Sequence, residues 1–262
     1  MTGLKLYYDL FSQPSRALYI FLKVAGIPFE AKPVKLTKLE HLTPEFEALN
    51  PFKKVPVIEH NGFKLIESIA IARYLCREYK VAQHWYPSSS KEQAKVDEYL
   101  EWQHLNTRIN CASYFFFTYL KPLQTGKSSK PEQIEKYKER MLACLDLIEN
   151  IWLKDKLFLT GDKISISDIF AACELEQLRL AGYDPRVEWP RINAWMERVQ
   201  QETKPYYNEA HKLLNNIVQQ QNQTAKLFKM HNNGTYKCAC VHISVYAYIC
   251  KNEHARRFYF IV

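Results

Sequence analysis

No stretch of the sequence approaches the roughly 20 apolar residues that a membrane-spanning helix needs, so no membrane partner is expected. No secretory leader is expected: Asp9, Ser12 and Gln13 break the apolar start, and no small-residue cleavage site follows. Cysteine occurs seven times, an odd count with no regular spacing, which argues against a disulfide-stapled secreted fold and suits a reducing, cytoplasmic setting. In that setting the glycosylation-like triplets Asn222-Gln223-Thr224 and Asn233-Gly234-Thr235 carry no meaning. Charge of one sign is not concentrated enough for phosphate recognition. The net +8 divides into +4 for residues 1–227, where acids and bases interleave, and +4 for residues 228–262. Nucleic acid is therefore not an expected partner.

What is present is a chain of 262 residues with an ordinary soluble composition, long enough for two modest domains. Leu4-Lys5-Leu6-Tyr7-Tyr8 alternates as a strand, and Pro14 fits the first turn of a helix that Gly26 closes. Residues 29–34 read as a short edge strand ending near Pro33, and Thr43-Pro44-Glu45 opens a brief helix to about Leu49. Asn61-Gly62 supplies the positive φ angles of a type I′ hairpin between two short apolar strands. Pro56 stands just before the first of these strands, where it has no ladder hydrogen bond to lose and has access to the cis form. Ser68 is expected to cap the next helix, with Glu67 at its positive end, where free N–H groups can receive a carboxylate. These elements make a small α/β domain over residues 1–80.

Residues 81–91, with Pro87 and three consecutive serines, read as a linker, and from residue 92 to 227 only helix-period patterns remain. An all-α bundle is expected there. Ser165-Ile166-Ser167-Asp168 has the form of a capping box, with Ile164 and Ile169 placed as a hydrophobic staple, so Ser165 and Asp168 are assigned to structure. Tyr114-Phe115-Phe116-Phe117 is too continuous for one buried helical face and is expected to be core on one side and cleft wall on the other.

Val-Pro before a hairpin and Glu-Ser after it, followed by a helical domain with this capping box, resembles the glutathione transferases. Leu10-Phe11-Ser12-Gln13-Pro14-Ser15-Arg16-Ala17, His41-Leu42, Asn50-Pro51-Phe52-Lys53-Lys54-Val55-Pro56 and Val96-Asp97-Glu98-Tyr99-Leu100-Glu101-Trp102-Gln103-His104 look like the theta class in particular. The resemblance covers roughly residues 3–227. It implies a thioredoxin-like domain and a helical domain, usually paired as a homodimer, joining glutathione to small electrophiles in detoxification. Dehalogenating and peroxidase-type activities fall within that expectation. Glutathione is the co-substrate, and no metal or redox cofactor is implied.

The resemblance also implies roles. Ser12 is the catalytic hydroxyl, with Tyr8 as rival, since other classes use a tyrosine at the end of this strand. His41 and Lys54 face the glycyl carboxylate, the backbone of Val55 pairs with the cysteinyl unit, and Glu67 with Ser68 holds the γ-glutamyl end. Pro56 shapes the loop. Arg108 and Leu105 belong to the second-substrate pocket, Arg108 toward anionic leaving groups. The reading from another class is a transferase-like fold kept as a non-catalytic binding or scaffolding module.

Residues 228–262 depart from this pattern: they carry three cysteines and seven aromatic residues without helical periodicity. The spacing of Cys238, Cys240, His242, Cys250 and His254 matches no common zinc pattern. The segment is expected to come from an alternative or mispredicted terminal exon, largely disordered or poorly packed and not a domain.

Overall fold

The computed structural model describes residues 3–231 of the protein. Strands β1 (Leu4–Tyr8), β2 (Glu30–Pro33), β3 (Val57–His60) and β4 (Phe63–Leu65) form one sheet in the order β2-β1-β3-β4. β1 runs parallel to β2 and antiparallel to β3, and β3 to β4 is a hairpin turning through Asn61 and Gly62 at φ 51° and 86°. Pro33 ends the edge strand, where its missing N–H costs the sheet nothing.

Alternation along β1 sorts the sheet's faces. Leu4 and Leu6 enter the main core with Ile58, while Tyr7 packs with Val34, Phe46 and Val57 on the opposite face. Tyr8 lies on the main-core side, its ring 5.4 Å from that of Tyr19. Both tyrosines stay half-buried.

Helix α1 (Gln13–Val24) has Pro14 in its first turn and ends through Gly26 at φ 68°, with Ile27 N–H donating to the Leu22 carbonyl at 2.9 Å. That pair of features is a Schellman ending, which glycine permits without a Cβ penalty. Helix α2 (Pro44–Leu49) is capped by Thr43, whose Oγ1 accepts from Phe46 N–H at 3.3 Å. Helix α3 (Ser68–Glu78) starts one residue earlier than expected: Glu67, not Ser68, occupies the cap position, at φ 68°, and its side chain makes no capping bond.

The helical domain holds α4 (residues 90–125), α5 (131–152), α6 (Ile166–Gln177), α7 (Pro190–Glu202) and α8 (Tyr206–His231). α4 contains two π turns, His104–Arg108 and Phe116–Leu120. The capping box opens α6: Ser165 Oγ accepts from Ser167 N–H at 3.2 Å, and Asp168 Oδ2 accepts from Ser165 N–H at 2.8 Å. Asp168 Oδ1 also accepts from Leu159 N–H and Trp195 Nε1–H, both at 2.9 Å, so the carboxylate ties three segments together.

The segment between the domains is packed against both of them. Trp85 is buried 5.9 Å from the Phe21 ring, its carbonyl accepts from Ile166 N–H at 3.0 Å, and His84 bonds the Ile164 carbonyl. One continuous core runs from Leu4 and Leu6 through α1 to α6 and α8. α8 continues to His231, past the limit at residue 227 that the sequence suggested for the family-like region. The proposed extension with Cys238, Cys240, His242, Cys250 and His254 lies outside the described residues. Among the described residues no helix is long and apolar enough to cross a membrane.

Candidate functional site between the domains

A cleft of about 810 Å³ opens where the two domains meet. From the small domain it is lined by Ser12, His41, Lys54, Val55, Pro56, Glu67 and Ser68. From the helical domain come His104, Arg108, Phe115, Phe116, Glu174 and Gln177. Most of the small-domain residues sit at element boundaries: Ser12 where β1 gives way to α1, Glu67 and Ser68 where β4 gives way to α3, and Lys54, Val55 and Pro56 in the loop that enters β3, while His41 lies in a 3-10 turn, residues 40–42, ahead of α2.

Ser12 follows β1 and occupies the cap position of α1 with extended backbone, φ −82° and ψ 126°. Its side chain makes no capping hydrogen bond, and the first turn of α1 holds no acid. The ordinary task of a serine at this position is therefore not being performed, and the positive helix end is not neutralised locally. Asp9 builds the loop that carries it: Oδ1 accepts from Phe11 N–H at 2.8 Å and Oδ2 from Leu36 N–H at 2.9 Å. Ser12 N–H in turn donates to the Asp9 carbonyl at 3.0 Å.

Val55–Pro56 is a cis peptide, and Pro56 is buried. Asn50 spans the loop, its Nδ2 donating to the Lys54 carbonyl at 2.8 Å. The two lysines separate cleanly: Lys53 is paired with Glu47 at 2.9 Å, whereas Lys54 is exposed on the cleft wall. His41 is buried in the same wall. At the start of α3, Ser68 is buried and Glu67 exposed. The φ of 68° is a costly conformation for a residue with a Cβ, on the order of 1–3 kcal/mol, and it turns the chain from β4 into the helix beside the cleft. The first-turn N–H groups of α3 have no intrahelical acceptor and form an anion-receptive end.

The opposite wall differs in kind. Phe115 and Phe116 face the cleft, Tyr114 turns into the core, and Phe117 stacks on Tyr137 with centroids 4.5 Å apart. The aromatic block is thus split between core and cleft as its continuity suggests. Arg108, at the end of the first π turn, points one guanidinium nitrogen at Glu174, 3.8 Å away. Burial raises the Glu174 carboxyl's pKa, and the charges of Arg108 and Arg16 counter this. Burial likewise lowers the pKa of His104, with Arg108 adding to the effect.

Leu105 requires a correction. It is 76% exposed and takes no part in the cleft wall. Three residues before Arg108 it would share a face in an undistorted helix, but the π turn at His104–Arg108 breaks that register. Gln103 is fully buried and also off the cleft. Tyr8 is absent from the lining as well. Ser165 and Asp168 sit deep in the helical core, as the capping motif implies.

The sequence reading missed Asp9, Arg16, Glu174 and Gln177. A signal existed for three of them: Arg16 precedes the apolar run Ala17-Leu18-Tyr19-Ile20-Phe21-Leu22, and Glu174 and Gln177 stand on a helix buried all round. Charged and amide side chains in such places are rarely buried without a partner or a task. Among the described residues no group of three or more His, Cys, Asp or Glu side chains could hold a metal ion.

The chain matches two family models in order: the N-terminal domain of glutathione S-transferase over residues 3–77 and its C-terminal domain over residues 131–198. It is 41% identical to glutathione S-transferase theta-1 of Bos taurus over 213 residues, 81% of this chain and 89% of the relative. It is 39% identical to theta-3 of Mus musculus over the same length, 81% and 88% of the two chains. Human glutathione S-transferase T1-1 in its apo form superposes with a TM-score of 0.78 at 39% identity, covering 82% of this chain and 90% of the other. Human theta-2 in complex with glutathione gives 0.78 at 37%, covering 83% and 90%. With both domains matched on either side of this cleft, the chain belongs to the theta class of the glutathione S-transferase family and is a glutathione transferase enzyme.

Proposed function

We propose that glutathione lies along the small-domain wall with its sulfur at Ser12, and that the Ser12 hydroxyl donates a hydrogen bond that holds the sulfur as thiolate. The observation that carries this reading is the cap-position serine of α1, on the cleft wall, whose hydroxyl is not spent on capping the helix. A free cysteine thiol titrates near 8.5, so only a few per cent is nucleophilic at neutral pH. A charge-assisted hydrogen bond contributes about 1.5–3 kcal/mol and a helix end about 0.3–1 kcal/mol. At about 1.4 kcal/mol per unit, the two together lower the thiol's pKa by roughly 1.3–2.9 units. The proton released passes to solvent, and the thiolate attacks the electrophile.

His41 and Lys54 then hold the glycyl carboxylate, the Val55 backbone pairs with the cysteinyl unit, and Glu67 with Ser68 receives the γ-glutamyl end at the start of α3. The electrophile occupies the aromatic side, with Arg108 receiving an anionic leaving group such as halide or sulfate. A human theta-class transferase in complex with the glutathione conjugate of 1-menaphthyl sulfate is among the similar structures, at 37% identity and a TM-score of 0.78 over 83% of this chain and 89% of that one. Glutathione serves as co-substrate without metal or redox cofactor, and the working form is a cytoplasmic homodimer.

Ser12→Ala is expected to raise the pKa of bound glutathione by about 2 units and to lower kcat about 100-fold, with Tyr8→Phe leaving both nearly unchanged. Titrating the ultraviolet absorbance of the bound thiolate measures this. A rise in the tyrosine variant alone would transfer the role to Tyr8.

A further inference from the structure

The loop that carries Ser12 is fastened to the helical domain by a buried cation. Arg16 is fully buried on α1; its Nη1 donates to the Leu10 carbonyl at 2.8 Å and to the Phe11 carbonyl at 3.2 Å. Its Nη2 crosses to α6, donating to the Cys173 carbonyl at 3.1 Å and to Gln177 Oε1 at 2.6 Å. Gln177 closes the circuit: its Nε2 donates back to the Phe11 carbonyl at 3.4 Å. Gln177 is itself 1% exposed and borders the cleft. The amide therefore fixes the guanidinium at one end and the peptide unit immediately before Ser12 at the other.

We infer that Gln177 is a positioning residue for Ser12, holding the serine's loop, through Arg16 and the Phe11 carbonyl, in the register from which its hydroxyl reaches the glutathione sulfur. The inference rests on the reading of Ser12 as the thiolate's donor. Its physical basis is the short lever between the two: rotation of the Phe11–Ser12 peptide moves the hydroxyl, and both fixing bonds on that carbonyl come from the Arg16–Gln177 pair. A hydrogen bond to sulfur depends on direction as well as distance, so a small swing of the loop weakens it. The arrangement also links the electrophile's side of the cleft to the sulfur's, because α6 carries Gln177 and Glu174 on the same wall. The charged and titratable groups around Arg16 are Cys173 and Glu174 on α6 and His211 on α8.

The decisive readout is the thiol's pKa in the binary complex with glutathione, with no electrophile present, so that direct contact between Gln177 and a second substrate cannot contribute. Gln177→Met keeps the volume and removes both bonds; Gln177→Asn withdraws the amide by one methylene. Both are expected to raise the bound thiol's pKa by about 0.5–1 unit and to lower kcat about 5-fold, with KM for glutathione within about 2-fold. In a Ser12→Ala background the same changes are expected to add no further shift. An unchanged pKa in folded Gln177 variants would overturn the inference, as would a full additional shift without Ser12. If Ser12→Ala itself leaves the pKa unmoved, it is the Ser12 reading that fails.

Discussion

The two walls of the cleft are built on different principles. The small-domain wall presents polar side chains and backbone at element boundaries, Ser12 before α1, Lys54, Val55 and Pro56 before β3, Glu67 and Ser68 at the start of α3, with His41 and apolar residues such as Leu36 and Phe52 completing it. The helical-domain wall consists of side chains on the interiors of long helices, with the Phe115 and Phe116 rings beside Arg108 and Glu174. Backbone donors and helix ends suit a ligand of constant shape, since they cannot be rearranged without refolding. Side chains projecting from a helix can be exchanged one at a time, which suits a variable second substrate. On the proposed function, the contrast makes recognition of glutathione and selectivity for the second substrate separable in this molecule.

The strongest way to break the contrast is to remove the support beneath the helical wall. Asp168→Ala leaves Leu159 N–H, Ser165 N–H and Trp195 Nε1–H without their acceptor in the core. At about 1–3 kcal/mol for each buried donor left unpaired, the expected loss of stability is at least about 3 kcal/mol, measurable by urea denaturation. Native-like stability would mean that α6 is held by its burial alone. A smaller effect is expected from Arg108→Ala, which should reduce kcat/KM for substrates with anionic leaving groups about 10- to 100-fold. A panel pairing halide or sulfate leaving groups with neutral acceptors checks this, and an equal loss on both would deny Arg108 its proposed task. The smallest effect belongs to Leu105→Ala. Stability is expected within about 0.5 kcal/mol of the parent and kinetics within about 2-fold, because the side chain stands away from the cleft. A several-fold fall in kcat/KM would extend the wall to a residue the structure leaves outside it.

Legibility in the sequence followed the same division. Elements of the small domain announce themselves through residues whose conformational demands are local: Asn61-Gly62 for the hairpin, Gly26 past α1, Thr43-Pro44 before α2. The cleft residues next to these signals came with them. Ser68 was misplaced by one position because capping rules presume an ordinary entry, and Glu67 enters α3 at φ 68°. In the helical wall, periodicity gives a face only while the helix keeps its pitch. The π turn at His104–Arg108 breaks the register, which is why Arg108 lies on the cleft and Leu105 does not. The Arg16–Gln177 clamp joins residues 161 positions apart, and no local pattern encodes a hydrogen bond across that distance.

Separability of the two walls is tested most directly by the dissociation constant of glutathione in Ser68→Ala and Arg108→Ala, compared side by side by calorimetry. The expected result is weakening of about 10-fold, equivalent to about 1.4 kcal/mol, for the Ser68 variant and a change within about 2-fold for the Arg108 variant. Equal weakening in both, or a larger effect at Arg108, would contradict the division of labour between the walls.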